Sequence, residues 1–247
     1  MRVTILGCGD AFGSGGRFNT CFLVETGGRM IAVDFGASSM VALKQRGIDP
    51  NRIDAVVLSH LHGDHFGGLP FLFLDSQFAC ARRTPLTIIG PVGTSERLKL
   101  TMEAFFPGSS TTAWRYPVTV EEQACGAPFS LGALAIERIE VIHPSGAPAT
   151  ALRLWDGSKR FAYSGDTTWT EALVDVARDA DLFICECYTF DGSPPYHLAF
   201  KTIDANRARL GARTIMLTHM GEDMLAHRHV AAAKGYRLAA DGLVIAL

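Results

Sequence analysis

Short apolar runs rich in β-branched residues alternate with stretches of helical periodicity along the chain. Residues 3–6, 21–25 and 30–34 read as strands, and Gly27 and Gly28 mark a hairpin between the last two. Residues 38–46 have a helical pattern that stops at Gly47, with Pro50 beyond it. The run 53–59 is almost continuously apolar, as expected of a strand covered on both faces. Helices are predicted over 69–81 and 94–105, with a strand at 86–89 between them. After a polar turn segment at 107–112 the pattern begins again. Strands are expected at 133–142, 150–154, 160–164, 182–186, 214–218 and 243–246, and helices at 170–178, 199–210 and 223–234. Strands flanked by helices in both halves predict an α/β architecture, with sheets packed face to face and helices outside. No linker, tandem repeat or low-complexity tract interrupts the pattern, so residues 1–247 are read as one domain.

Composition narrows the function classes. Of 247 residues, 48% are apolar, enough for a large core, and the formal net charge of −2 gives no bulk attraction to nucleic acid or an anionic membrane. The start runs straight into strand-like alternation without an apolar leader, and no segment approaches a membrane span. A cytoplasmic location is therefore expected. The six cysteines form no CxxC pair, so a zinc ribbon and a thioredoxin motif are not indicated, and buried free thiols are expected.

The candidate chemistry lies in Ser59-His60-Leu61-His62-Gly63-Asp64-His65-Phe66-Gly67-Gly68, directly after the buried run 53–59. Two histidines spaced i, i+2 on extended chain point the same way. A carboxylate and a third histidine follow at once, where Gly63 lets the chain turn, and Gly67 and Gly68 then allow close backbone approach before the next helix. Four ionisable groups at the end of a buried strand are costly without a shared partner, and a metal ion supplies one. They are too many for one tetrahedral structural ion unless other segments complete a second site. His143, Asp166 and His219 each fall just past a predicted strand, where site-forming loops converge. Phe66 and Phe71 are expected to pack beneath the cluster. Trp169, Tyr188 and Phe190 are candidates for a pocket lining or for core packing. His227 and His229 are expected at the surface.

The segments HLHGDHFGG, VIHP, YSGDT and LTHM, in that order over residues 60–219, resemble the metallo-β-lactamase-fold hydrolases. The resemblance implies an αββα sandwich, two mixed β-sheets in similar halves with helices outside. It also implies two divalent metal ions, one on His60, His62 and His143 and the other on Asp64, His65 and His219, with Asp166 bridging. Zinc suits these ligands, and manganese or iron also fits. Two such ions would activate a water as hydroxide for attack on phosphorus or a carbonyl carbon, with Asp64 orienting it. Glu186, after the run 182–185, and His197 together resemble the transfer RNA 3′-processing endonucleases and their phosphodiesterase relatives. That likeness implies His197 as general acid and Glu186 as its orienting partner. The residues after His197 are Leu-Ala-Phe, where those endonucleases usually carry a small hydroxyl residue. The loop from Leu6 to Asn19 resembles the same branch; its amides and Arg17 are candidates for a phosphate contact, a plain hairpin loop being the equal alternative.

The endonucleases carry a long Gly/Pro-rich arm between the third metal histidine and the bridging aspartate, whereas here only residues 144–165 stand between His143 and Asp166. A small or cyclic phosphodiester is thus the leading substrate expectation, with nucleic acid not favoured, no membrane partner, and a homodimer suggested by the pairing of relatives. Transfer RNA processing, lactone or thioester hydrolysis, and a mononuclear iron persulfide dioxygenase remain the alternatives.

Overall fold

A computed structural model describes residues 1–126, 128–192 and 194–247. In the first half the strands are β1 (Arg2–Gly7), β2 (Cys21–Thr26), β3 (Arg29–Val33), β4 (Ile53–Val57), β5 (Leu86–Gly90) and β6 (Val118–Glu122). In the second they are β7 (Phe129–Leu131), β8 (Leu134–Glu140), β9 (Thr150–Trp155), β10 (Arg160–Tyr163), β11 (Leu182–Glu186), β12 (Ile215–Thr218), β13 (Arg237–Leu238) and β14 (Val244–Ala246). They make two seven-stranded sheets, ordered β14-β1-β2-β3-β4-β5-β6 and β13-β12-β11-β10-β9-β8-β7. Each sheet has a parallel run, β3 to β6 in one and β10 to β13 in the other, continued by antiparallel strands. The two halves therefore share one plan, as expected for the sandwich.

Period-2 alternation decides which side chains meet. Phe22 and Val24 of β2 join Val3, Ile5, Ile31 and Val57 between the sheets, facing Ile136, Leu154, Phe161, Ile184 and Met216. Cys21 and Leu23 point the other way, under a helical layer. That layer contains α1 (Ser39–Gln45), α2 (Gly63–Phe66), α3 (Leu69–Leu74) and α4 (Thr94–Phe105). Behind the second sheet lie α5 (Ala172–Ala177), α6 (Phe200–Ala205), α7 (Arg207–Leu210) and α8 (Glu222–Ala233), over Ala162, Phe183 and Leu217. Among the described residues no helix is long and apolar enough to cross a membrane.

Several boundaries differ from the sequence expectation, each for a physical reason. The predicted helix 69–81 is α3 followed by a π-helical turn at Asp75–Ala79, and the predicted helix 199–210 divides into α6 and α7 at Asn206. The turn at Gly63 is one short helix, α2. β6, β7 and β13 were not anticipated. Each lies at the edge of a sheet, and none carries a buried residue that would give an apolar signal. Phe66 is buried as expected, but Phe71 is 41% exposed and packs sideways against Phe105 and Phe106. All six cysteines are free. Four are buried, whereas Cys80 and Cys125 are only half-buried.

Candidate metal centre

β1, β3 and β4 run in one direction within the first sheet, as β8, β10, β11 and β12 do within the second. Donor atoms from both sets lie within 4.8 Å of one another, so the two sets end at one edge of the sandwich. The chain delivers its ionisable residues there. His60 and His62 follow β4, His143 follows β8, Asp166 follows β10, Glu186 ends β11 and His219 follows β12. Asp64 and His65 lie in α2. The close approach predicted at the paired glycines is real: a Cβ on Gly68 would stand 2.4 Å from the Gly36 carbonyl oxygen.

The donor atoms form two groups able to hold metal, His60/His62/His143 and Asp64/His65/Asp166/His219. In the first, His143 Nε2 lies 3.0 Å from His62 Nδ1. In the second, His219 Nε2 lies 3.1 Å from Asp64 Oδ2, and His65 Nε2 lies 3.2 Å from the same oxygen. Asp166 Oδ2 is 3.2 Å from His65 Nε2 and 3.3 Å from His219 Nε2, yet also 3.8 Å from His60 Nε2 and 4.0 Å from His143 Nε2. Ligands at about 2.0–2.1 Å around a tetrahedral ion stand roughly 3.3 Å apart, so the spacing within each group fits a shared ion. Buried His60 Nε2, His65 Nε2 and Asp166 Oδ1 have no aligned hydrogen-bond partner among the described residues. Polar atoms so placed are explained by a cation between them.

Three of the other ring nitrogens are held from behind. His65 Nδ1 bonds Asp34 Oδ2 at 2.7 Å, His60 Nδ1 pairs with Ser59 Oγ at 3.0 Å, and His143 Nδ1 donates to the Tyr196 carbonyl at 3.0 Å. Asp34 also accepts from the Ser59 amide and hydroxyl. Such contacts fix the tautomer and ring orientation of a metal-binding histidine. Asp34, Tyr196 and His219 adopt φ of 56°, 64° and 56°. Strain of this kind in non-glycine residues collects at functional sites. Asp34 and Tyr196 were not picked out from the sequence. Asp34 does carry the signal that exposed Asp166, a carboxylate closing an apolar strand run.

The electrostatics are dominated by carboxylates. Burial opposes a charge on Asp64 and Asp166, but His65 and His219 hold both carboxyls below the usual range. In return, against the pull of burial, Asp166 and Asp64 hold His65 well above the ordinary imidazole range and raise His219 to about 9. Burial and the neighbouring His65 charge keep His60 well below it. Glu186 and His197, paired in the sequence reading, are in contact. His197 Nδ1 lies 3.2 Å from both carboxylate oxygens of fully buried Glu186, whose Oε1 accepts from the Thr167 amide at 2.6 Å. Burial raises Glu186; at His197 burial pulls the other way, but the bond to Glu186 together with the Glu186 and Asp166 charges raises the imidazole. A His197 ring nitrogen falls within 4.8 Å of donor atoms on His143 and Asp166.

Of the aromatic candidates, Tyr188 lies against His197, with ring centroids 5.1 Å apart and planes tilted by 37°, while Trp169 and Phe190 pack on the core of the second half. His229 is exposed, and His227 is partly covered by Phe190 at 4.4 Å. The phosphate contact expected of the N-terminal loop is not supported. Its Phe12 and Ser14 amides bond Asp10, the Cys8 and Phe18 amides bond Asp241, and the Gly15 amide bonds Glu222. Arg17 is turned onto the Ala239 carbonyl. Carboxylates of the chain already occupy the place an anion would take.

The family model described as anti-Pycsar protein Apyc1 matches residues 1–242. A protein of Mycobacterium tuberculosis, Rv1339, is 33% identical over 226 residues, spanning 89% of this chain and 81% of that protein. The probable metallo-hydrolase YhfI of Bacillus subtilis is 30% identical over 230 residues, covering 89% of this chain and 87% of that one. The crystal structure of the short form of human tRNase Z superposes with a TM-score of 0.80 at 24% identity, over 100% of this chain and 99% of that one, and so shares the fold. With the His/Asp clusters at the expected sheet edge, these matches identify the chain as a metal-dependent hydrolase of the metallo-β-lactamase fold, a member of the anti-Pycsar protein Apyc1 family.

Proposed function

We propose that the protein is a phosphodiesterase that acts on a small or cyclic phosphodiester with two divalent ions, zinc being the best match to the donors. His60, His62 and His143 would hold one ion and Asp64, His65 and His219 the other, with Asp166 shared. When bound, the ions supply positive charge that acidifies a water and offsets charge growing on the phosphoryl oxygens. The protein's own groups do the rest. Asp34 and Ser59 hold two imidazoles in place, Asp64 keeps an ionised carboxylate beside the reacting water, and Glu186 fixes His197 through Nδ1. That leaves His197 Nε2 to deliver a proton to the leaving oxygen.

The observation that carries this reading is the Glu186–His197 pair beside Asp166 and His143. An alkoxide leaving from a phosphodiester needs a proton, whereas a thiolate leaving from a thioester does not. Two features favour a small substrate over structured RNA. The chain between His143 and Asp166 is taken up by β9 and β10. A cleft of about 550 Å³, lined by Leu61, Gly63, Phe66, Arg97, Leu100 and Ala147, lies beside the loop that carries His60–His65 and falls in the size range of small-ligand sites.

The test is to count metals by mass spectrometry and assay bis(p-nitrophenyl) phosphate with zinc and with manganese, beside a lactone and nitrocefin. Two ions per chain with turnover of the phosphodiester alone is the expected result. One iron per chain and no phosphodiester turnover would overturn the reading in favour of oxygen chemistry.

A further inference from the structure

Arg138 is the buried charge that neither the fold nor the proposed chemistry explains. It lies on β8 facing inward, 0% exposed, in the row of β8 that continues Leu134 and Ile136. Its Nη2 donates to the Leu58 carbonyl of the opposite sheet at 2.7 Å, while Nε and Nη1 have no hydrogen-bond partner among the described residues. Burial pulls its pKa down to about 10, with Cys125 and Asp34 opposing, so it stays charged at neutral pH. A buried cation with one hydrogen bond is costly, and an apolar side chain of similar volume is often as stable or more so. Packing alone therefore does not account for arginine at this place.

What it touches gives the account. Leu58 leads directly into Ser59 and His60. On β9, the strand next to β8, Thr150 takes the following carbonyl: its amide donates to Ser59 O at 3.0 Å and its hydroxyl to the same oxygen at 2.8 Å. Thr150 also abuts the other metal-bearing loop. Gly165, at φ 60°, would place a Cβ 2.6 Å from the Thr150 carbonyl oxygen and 3.4 Å from Ser59 Cβ, and Asp166 is the next residue. Two successive carbonyls at the root of the His60–His65 loop are thus gripped from the opposite sheet, where Asp166 departs. Ser59 in turn bonds both His60 and Asp34, and Asp34 holds His65.

We propose that Arg138 and Thr150 form a clamp across the sandwich that sets the first-sheet ligands against Asp166 of the second, which makes Arg138 a positioning residue for metal binding. The inference rests on the di-metal reading above. It says that Arg138 acts through Leu58 and Ser59 without touching metal or substrate, and that its cost in fold stability is offset by ligand geometry.

The experiment compares wild type, Arg138→Met and Arg138→Lys by chelator competition for zinc, by the visible spectrum of the cobalt-substituted protein, and by thermal unfolding of metal-free protein. Arg138→Met should bind metal about tenfold more weakly, the usual scale for groups that orient ligands, and shift the cobalt bands. Its metal-free melting temperature should stay level or rise. Arg138→Lys keeps a charge and one donor toward Leu58 and should recover most of the affinity. Affinity within twofold of wild type and an unchanged cobalt spectrum in Arg138→Met would overturn the clamp, as would a lowered melting temperature with unchanged affinity. Should Arg138→Met not fold, Thr150→Val removes only the hydroxyl grip on Ser59, and the same two readouts decide. If wild type itself binds no metal, the di-metal reading fails. If wild type binds and the variants match it, only the clamp fails.

Discussion

His197 is placed by one contact on one ring nitrogen, and its chemistry follows from that. Glu186 takes Nδ1, so in the proposed reaction the other nitrogen serves the substrate, and the carboxylate raises the imidazole above its ordinary range despite partial burial. A general acid works in its protonated form, so turnover should fall as pH rises through this raised value. His197→Ala should remove that alkaline fall and lower kcat by roughly 100-fold or more for an alkyl phosphodiester. The loss should be far smaller for a p-nitrophenyl ester, whose leaving group departs without help, and bound metal should be unchanged. Equal losses on the two esters would assign His197 to binding rather than proton transfer. At this scale the sequence was legible where polar groups interrupt an apolar run, as at His60, Asp166 and His219. It was not legible where a residue acts through its backbone. Tyr196 serves His143 with a carbonyl, from a left-handed conformation that no pattern of side chains announces.

At the scale of elements, α2 and α3 carry the metal loop across the surface of the first sheet, and the contact that seats them is backbone on backbone. The Gly68 amide donates to the Phe35 carbonyl at 2.9 Å. A Cβ there would meet the Gly36 carbonyl oxygen at 2.4 Å and the Phe35 carbonyl oxygen at 2.8 Å. Neither obstacle is the end of a flexible side chain, so Gly68→Ala must lift the junction between α2 and α3. We expect a loss of about 2 kcal/mol of stability, typical of overpacking, together with weaker metal binding because Asp64 and His65 move with α2. Denaturant unfolding and zinc titration of the variant check both, and a variant that keeps full stability would show that the junction is softer than its spacing indicates. The glycines were readable as a close approach, and the central strands as apolar runs. The edge strands β6, β7 and β13 and the breaks after α3 and α6 were not. They depend on hydrogen bonds to neighbours or on local backbone geometry, which leave little trace in hydrophobic periodicity.

At the scale of the whole molecule, two sheets that could pack on apolar contacts alone also bring carboxylates and imidazoles from both into one buried cluster. Its charge balance ties folding to pH and metal. In the metal-free protein His65 and His219 are raised, His219 to about 9, against an unfolded value near 6.5. Their ion pairs therefore contribute fully below about pH 6.5, and the contribution is lost as pH climbs through the folded values. The lowered Asp64 and Asp166 act at the other end, losing their contribution only as pH falls below the ordinary carboxylate range. His60, held low, also contributes fully above about pH 6.5 and does not alter the alkaline side. Between pH 6.5 and 9 the metal-free protein should thus lose stability, on the order of 3 kcal/mol from His219 alone. For a chain of this size that is roughly 6–12 °C in melting temperature. A metal ion needs these imidazoles neutral, so binding displaces the same protons and grows stronger over the same interval. Calorimetry of chelator-stripped and zinc-loaded protein at pH 6.5 and 9 should therefore show the gap between the two forms widening with pH. A metal-free melting temperature that stays flat or rises across this window would mean that the two halves of the sandwich are not held together at this edge by protonated histidines, and that the cluster reaches its paired geometry only with the ion.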